Sequence, residues 1–407
     1  MHSTVSKGTW WKGFSCRFET QVLHSLIDQV ERSVPSRRMS AQSNLQDKSG
    51  EPRPSAAPME GKGFYNRHSA IPAAGGALAL PLLEQTAKRI ELDAGGRPIV
   101  LVDYGSSEGE NSLAPMRAAI AVLRARVGRE RPIFVYHTDL PDNDFSSLFR
   151  VLHSHPDSYL RDEQNVFPSI VGRSFYQQIL PPDHVDLGWS SYAAIWLSRI
   201  PCPIAEHFFA LRSTSAVRAE FARQAATDWE AFLAFRATEL RPSGRLLVVL
   251  PALAEKKLPG FVTLMDQANL VLSDLVAMKI VSAQERDQMG VAIYPRSESE
   301  LLAPFSSAGH FHGLTVEDCA TFPVTDTVWE EYVRDNDPET LAKKRAGFFR
   351  AIFAPSLAQA LGPDRHPEER LAFLSALEDG LRARMLNYPV PADNVVRIIV
   401  LAKRASG

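Results

Sequence analysis

The residues best placed to do chemistry sit together in Val102-Asp103-Tyr104-Gly105-Ser106-Ser107-Glu108-Gly109-Glu110-Asn111. An apolar run, 98–102 (PIVLV), ends in an acid, and Gly105 then allows a tight backbone turn beside a ligand. Apolar residues recurring at threes and fours predict a helix over 112–127 directly after it. A dinucleotide fold would carry GxGxxG here, with a pyrophosphate on the helix N-terminus. The chain reads GSSEGEN instead. An acid just before the turn suits a cationic amino group better than a phosphate, and S-adenosylmethionine (SAM) carries such a group together with a sulfonium. A strand–turn–helix corner holding no ligand is the plain structural alternative.

A second acid, Asp139, follows the next apolar run, 133–136 (IFVY). An acid at that strand end accepts hydrogen bonds from ribose hydroxyls in nucleotide-binding α/β folds, although the usual spacing of about 20 residues is exceeded here. Its structural alternative is a turn or helix cap in TDLPDNDF. No Ser-His-Asp or Glu-His arrangement suggests a nucleophile or a general base, and His68 beside Ser69 is assigned no such role. Cys16, Cys202 and Cys319 are scattered without CxxC spacing, which argues against a disulfide framework and a structural zinc, and so no metal is expected.

The elements that must position these residues alternate. Runs 98–102, 133–136, 184–188 and 246–250 read as strands, separated by helices over 112–127, 192–199 and 217–240. This predicts an α/β fold, a parallel sheet with helices on both faces. Segment 260–390 reads as a mainly α-helical cap (261–280, 339–361, 367–386) interrupted by a loop at 294–309, and 391–407 returns to the sheet through a last strand, 394–401. Residues 59–259 form the expected cofactor-binding α/β domain. Residues 1–58 read as a disordered extension, because 33–58 is rich in Ser, Pro, Arg and Gln; 18–31 has the spacing for a turn or two of amphipathic helix. Over the 407 residues, 45 basic and 47 acidic side chains leave a net charge of −2, which gives no footprint for nucleic acid or an anionic membrane. No apolar run of membrane-spanning length and no secretory signal is present, and scattered cysteines fit a cytoplasmic protein.

Several segments, in order over 59–404, carry a family resemblance. MEGKGFY with His68-Ser69 resembles MxGGxGxxSYxxNS; DYGSSEGEN resembles DLGCSSGPN; TDLPDNDFSSLF resembles NDLPxNDFNxxF. VGRSFYQQILP, SSYAAIWLSRIP and 273–300 match three further family segments. The chain resembles the SABATH methyltransferases, the salicylate, benzoate, jasmonate and theobromine enzymes and their microbial relatives. The resemblance implies a Rossmann-like class I methyltransferase sheet, SAM as cofactor, a small-molecule acceptor and a homodimer. It implies that Ser69, Asp103 and Asn111 hold the methionine part of the cofactor, with Gly105 also at the cofactor, that Asp139 and Leu140 hold ribose and adenine, and that Ser174 and Phe175 close over the adenine. It places Tyr65, Tyr192, Ile195 and Trp196 at the methyl acceptor, Tyr192 and Trp196 sharing a face of the expected helix.

Two departures bear on the acceptor. Where carboxyl-methylating members carry a glutamine that donates to the substrate carboxylate, this chain has Pro72, and Ile195 replaces a His or Met. His310 and His312 lie where the family approaches the pocket, as candidate donors or as solvent-facing residues. The expected reaction is methyl transfer to a small carboxylate without a catalytic residue, by proximity and orientation. Pro72 keeps a phosphonate, ring-nitrogen or isoprenoid-carbon acceptor open. A silent ligand-binding fold is the non-enzymatic alternative.

Overall fold

The computed structural model describes residues 57–252 and 261–405; the expected extension, apart from Ala57 and Pro58, lies outside the described residues, and so does its stretch 18–31. Seven strands form one sheet in the order β3-β2-β1-β4-β5-β7-β6. β1 (Ile99–Tyr104), β2 (Ile133–Asp139), β3 (Val166–Gly172), β4 (Val185–Ser191) and β5 (Leu240–Pro251) are parallel neighbours. β7 (Asn394–Lys403) is antiparallel to both β5 and β6 (Leu314–Val324), so the parallel sheet expected from the runs is in fact mixed.

Before β1 come three helices, α1 (Phe64–His68), α2 (Ala70–Ala77) and α3 (Leu80–Arg89). α4 (Glu110–Val127) follows β1, α5 (Phe145–Ser154) follows β2, and α6 (Ser215–Glu239) precedes β5. Both faces of the sheet are covered. β1 is buried along its whole length. Leu113, Met116, Ala119, Ile120 and Leu123 of α4 pack on one face, and Trp229, Phe232 and Leu233 of α6 on the other. These stripes are the 3.6-residue pattern read in the sequence, and their burial is the main force holding the helices to the sheet.

After β5 come α7 (Val262–Ala277), α8 (Ala283–Gln288) and α9 (Glu298–Leu302); after β6 come α10 (Thr327–Asp335), α11 (Pro338–Ile352), α12 (Ala354–Ala358) and α13 (Pro367–Leu386). α7, α11, α12 and α13 share one apolar cluster, which Ile195 and Phe208 join from the loop after β4. The single helix expected over 339–361 breaks at Phe353, where Pro355 follows in the first turn of α12.

Three differences from the sequence reading have physical causes. β3 was not expected, because Pro168 interrupts VFPSIVG; β3 is an edge strand, where proline is tolerated. β6 was hidden inside the helical segment: it too is an edge strand, bulged between Val316 and Asp318 and largely polar outside. The helix expected over 192–199 does not form. Tyr192 is left-handed at φ 58°, and Leu197 N donates to Ala292 O at 2.6 Å while Tyr294 N donates to Ile195 O at 3.0 Å. Within the loop only a turn forms, Trp196 N donating to Ala193 O at 3.0 Å, and the bonds to 292–294 and from Tyr192 N to Val249 O take the place of a helical ladder.

Candidate active site

The turn after β1 depends on glycine. Gly105 has φ +93°, and a Cβ there would lie 2.2 Å from the Ala193 Cβ. Gly105 N and Ser106 N both donate to Thr138 O, at 2.9 and 3.0 Å, tying the turn to the end of β2. The two acids anchor it at either side. Asp103, 2% exposed, accepts from the Ser112 hydroxyl at the start of α4 and stands 3.6 Å from His137 Nδ1 on β2. Asp139 accepts from Ser107 N and from Leu140 N, each at 2.7 Å. Burial pushes the Asp139 carboxyl up to about 6 against the pull of those two N–H groups, and the Asp103 charge adds to the rise. Asp139 does not cap a helix; Asp144 does, accepting from Ser147 N at 3.0 Å at the start of α5.

The N-terminal segment folds over this turn. Glu108, 1% exposed, sends both carboxylate oxygens to it: Oε1 accepts from Gly63 N at 2.5 Å and Oε2 from Asn66 N at 3.1 Å. Asn66 Nδ2 returns a bond to Glu108 O at 3.3 Å. Asn111 Nδ2 donates to Ser69 Oγ at 3.1 Å. Burial raises the Tyr65 phenol well above its ordinary value, with a hydrogen bond to Asn111 pulling the other way, so it stays protonated at neutral pH.

A third support comes from α6. Arg236 and Glu239 form a buried pair; Arg236 Nη1 donates to Phe175 O at 2.8 Å, and Glu239 Oε1 accepts from Ile179 N at 2.5 Å. Tyr104 at the end of β1 donates to Glu239 Oε2 at 2.8 Å. The loop 174–180 is therefore held by charge-assisted bonds in a dry interior, where such bonds are strongest.

These supports enclose three cavities. One, of about 380 Å³, is lined by Gly105, Ser107, Asp139, Leu140, Ser174 and Phe175. A second, of about 510 Å³, takes in Asp103, Gly105, Asn111 and Tyr65. A third and much tighter one, of about 80 Å³, is lined by Tyr65, Pro72, Tyr192, Ile195 and Trp196 together with α7 and α11 side chains. Tyr65, Tyr192 and Trp196 line both the first and the third, so they stand where those two meet. Ser69, 2% exposed, lines none of them and touches the site only through Asn111. His310 and His312 line none of the three either, and His312 is exposed. Trp196 reaches the junction from a loop rather than a helix face, its ring against Phe353 at 6.1 Å between centroids.

Sequence reasoning missed Glu108, Arg236, Glu239 and the α11 contribution. Two signals were present. Glu108 replaces a serine of the DLGCSSGPN pattern. Arg345 interrupts an otherwise apolar stripe with Phe348 and Ile352 at helical spacing.

Comparison with known proteins identifies the family. Residues 56–378 match the family described as SAM dependent carboxyl methyltransferase. The methyltransferase LUC1 of Fusarium sp is 30% identical over 225 residues, 54% of this chain and 58% of that protein, so the match spans less than two thirds of that relative. Gibberellic acid methyltransferase 1 of Arabidopsis thaliana is 27% identical over 329 residues, 74% of this chain and 85% of that one. The solved structure of loganic acid methyltransferase with SAH aligns with a TM-score of 0.70 at 19% identity, over 86% of this chain and 99% of that chain, and shares the fold. The chain belongs to the SAM-dependent carboxyl methyltransferase family.

Proposed function

We propose that the protein transfers the methyl group of SAM to the carboxylate of a small, mostly apolar acid, giving a methyl ester. The observation that carries this reading is the position of Tyr65, Tyr192 and Trp196, which line both the cavity beside Asp139 and the apolar cavity beneath α11. The donor set suits SAM. Gly105 leaves a cradle that a side chain would fill, and the Ser107 hydroxyl is buried without a hydrogen-bond partner on the wall of the cavity beside Asp139. Asp103 and Asn111 would hold the amino-acid end, with Ser69 fixing Asn111; Asp139 and Leu140 would hold ribose and adenine, with Ser174 and Phe175 closing over the ring.

When bound, SAM supplies an electrophilic methyl on sulfur. The remaining work falls to the chain and needs no general base. A carboxylic acid has a pKa near 4, so it is ionised and nucleophilic at neutral pH. Tyr65 and Tyr192 are both raised by burial and remain neutral hydroxyls, able to orient but not to abstract a proton. Trp196 Nε1 makes no hydrogen bond among the described residues, and a tryptophan in an apolar cavity is a natural donor to a carboxylate oxygen. The apolar wall excludes water, leaving alignment of the oxygen with the methyl as the chief contribution.

Pro72 supports a second reading. It lines the acceptor cavity where a glutamine donor would complete a carboxylate clamp. A phosphonate, a ring nitrogen or an isoprenoid carbon would have less need of that donor. Incubation of the pure protein with methyl-labelled SAM and separate panels of acids, azoles and phosphonates decides between them: label in base-labile esters supports the first reading, and label confined to another class replaces it. By resemblance we also propose a cytoplasmic homodimer, for which sedimentation and fractionation are the tests. No helix among the described residues is long and apolar enough to cross a membrane.

A further inference from the structure

Among the described residues, one cation stands in the wall of the mostly apolar cavity proposed for the acceptor. Arg345, on α11, is 4% exposed and lines the cavity beside Phe348 and Ile352. Its Nη2 donates to Asp326 Oδ2, and Nε and Nη1 make no hydrogen bond among the described residues. Asp326 is otherwise committed to the backbone: it accepts from Ala392 N at 2.7 Å and from Trp329 N at 3.1 Å as the cap of α10. A guanidinium has five donors, and Nε and Nη1 are not among the fully buried side-chain atoms that lack a partner, so they stay open to a ligand in the cavity.

Phe353, which packs against Trp196, follows Arg345 by eight residues just past the end of the same helix, so the backbones of the two residues stand about 12 Å apart along its axis. Charge narrows the partner further. Asp326 already neutralises the guanidinium, so a second carboxylate would place two anions on one buried cation, whereas a neutral oxygen would accept the idle N–H groups without that penalty.

We propose that Arg345 reads the far end of the methyl acceptor. The substrate is then an elongated, largely apolar acid bearing a neutral hydrogen-bond acceptor, an amide, ketone or hydroxyl oxygen, well removed from the carboxylate that is methylated. The proposal rests on the carboxylate reading above.

The test uses straight-chain acids graded in length, each offered with three far ends: methyl, primary amide and carboxylate. At the best length the amide-ended acid should exceed the methyl-ended one by about tenfold or more in kcat/KM, the scale of a hydrogen bond to a charged group, and should also exceed the dicarboxylate. The paired change Arg345→Met with Asp326→Asn should bring the amide-to-methyl ratio near one, chiefly through KM, while Arg345→Lys should leave an intermediate ratio. Calorimetry of the same ligands on SAH-bound protein reads the preference without turnover. Equal binding of the three far ends, or a ratio untouched by the paired change, overturns the role of Arg345; preference for the dicarboxylate overturns the neutral partner. Absence of turnover with every acid, with the amide-ended acid still preferred in calorimetry, refutes only the carboxylate reading.

Discussion

Glu108 Oε1 accepts a hydrogen bond from Gly63 N at 2.5 Å. This contact helps join the segment that carries Met59 and Tyr65 into the proposed acceptor cavity to the turn beside the proposed cofactor site. The same carboxylate also holds Asn66 N, so one buried side chain fixes the start of α1 over both cavities.

Replacing Glu108 with Ala leaves the two part-buried backbone donors without their carboxylate, at about 1–3 kcal/mol. The variant should melt at a lower temperature and be cleaved faster by protease within 57–68, and it should bind SAH more weakly. Unchanged proteolysis and affinity would remove the clamp from the account.

Asp139 gives a pH dependence with two opposite signs. Its carboxyl is pushed up to about 6 from 3.8, and in the proposed site ribose hydroxyls would donate to the ionised form. Affinity for SAH should be flat above pH 7 and weaken by up to about tenfold per unit below 6. The stability contribution runs the other way: a raised folded pKa favours the native state below 3.8, and that advantage is lost as pH rises through 6. Asp139→Asn should bind SAH weakly at every pH and lose both trends. A wild-type affinity flat from pH 5 to 8 would contradict the role given to Asp139.

How much of this was legible in the sequence depends on how local each signal is. The turn at Gly105 and the stripes of α4 and α6 were readable because a tight turn and a buried face each leave a short-range pattern. The two edge strands left none: β3 carries Pro168, and β6 is bulged and polar outside. Tyr192 and Trp196 fall four apart, and that spacing mimicked a helix face although the loop pairs with 292–294. Arg345 and Asp326 meet only through tertiary packing. The departure at Pro72 was visible, and Arg345 stood out in its apolar stripe, yet the cavity that the stripe faces was not legible.

Trp196→Phe keeps most of the ring and removes one donor. With an anionic acceptor, kcat/KM should fall by about 1.5–3 kcal/mol, and with a neutral or carbon acceptor by about 1 kcal/mol or less. Pro72→Gln is the complementary change and should raise turnover of simple carboxylates. A Trp196→Phe enzyme with wild-type kinetics would take the indole out of acceptor binding.

The central claim is that a carboxylate oxygen of the acceptor attacks the methyl directly, with no activation of the acyl group. Mass spectrometry of the product formed from an acid labelled with oxygen-18 at both carboxyl positions tests this most directly. The product should be a methyl ester that retains both labelled oxygens. Loss of one label, or a methyl group found on any atom other than a carboxyl oxygen, would contradict it.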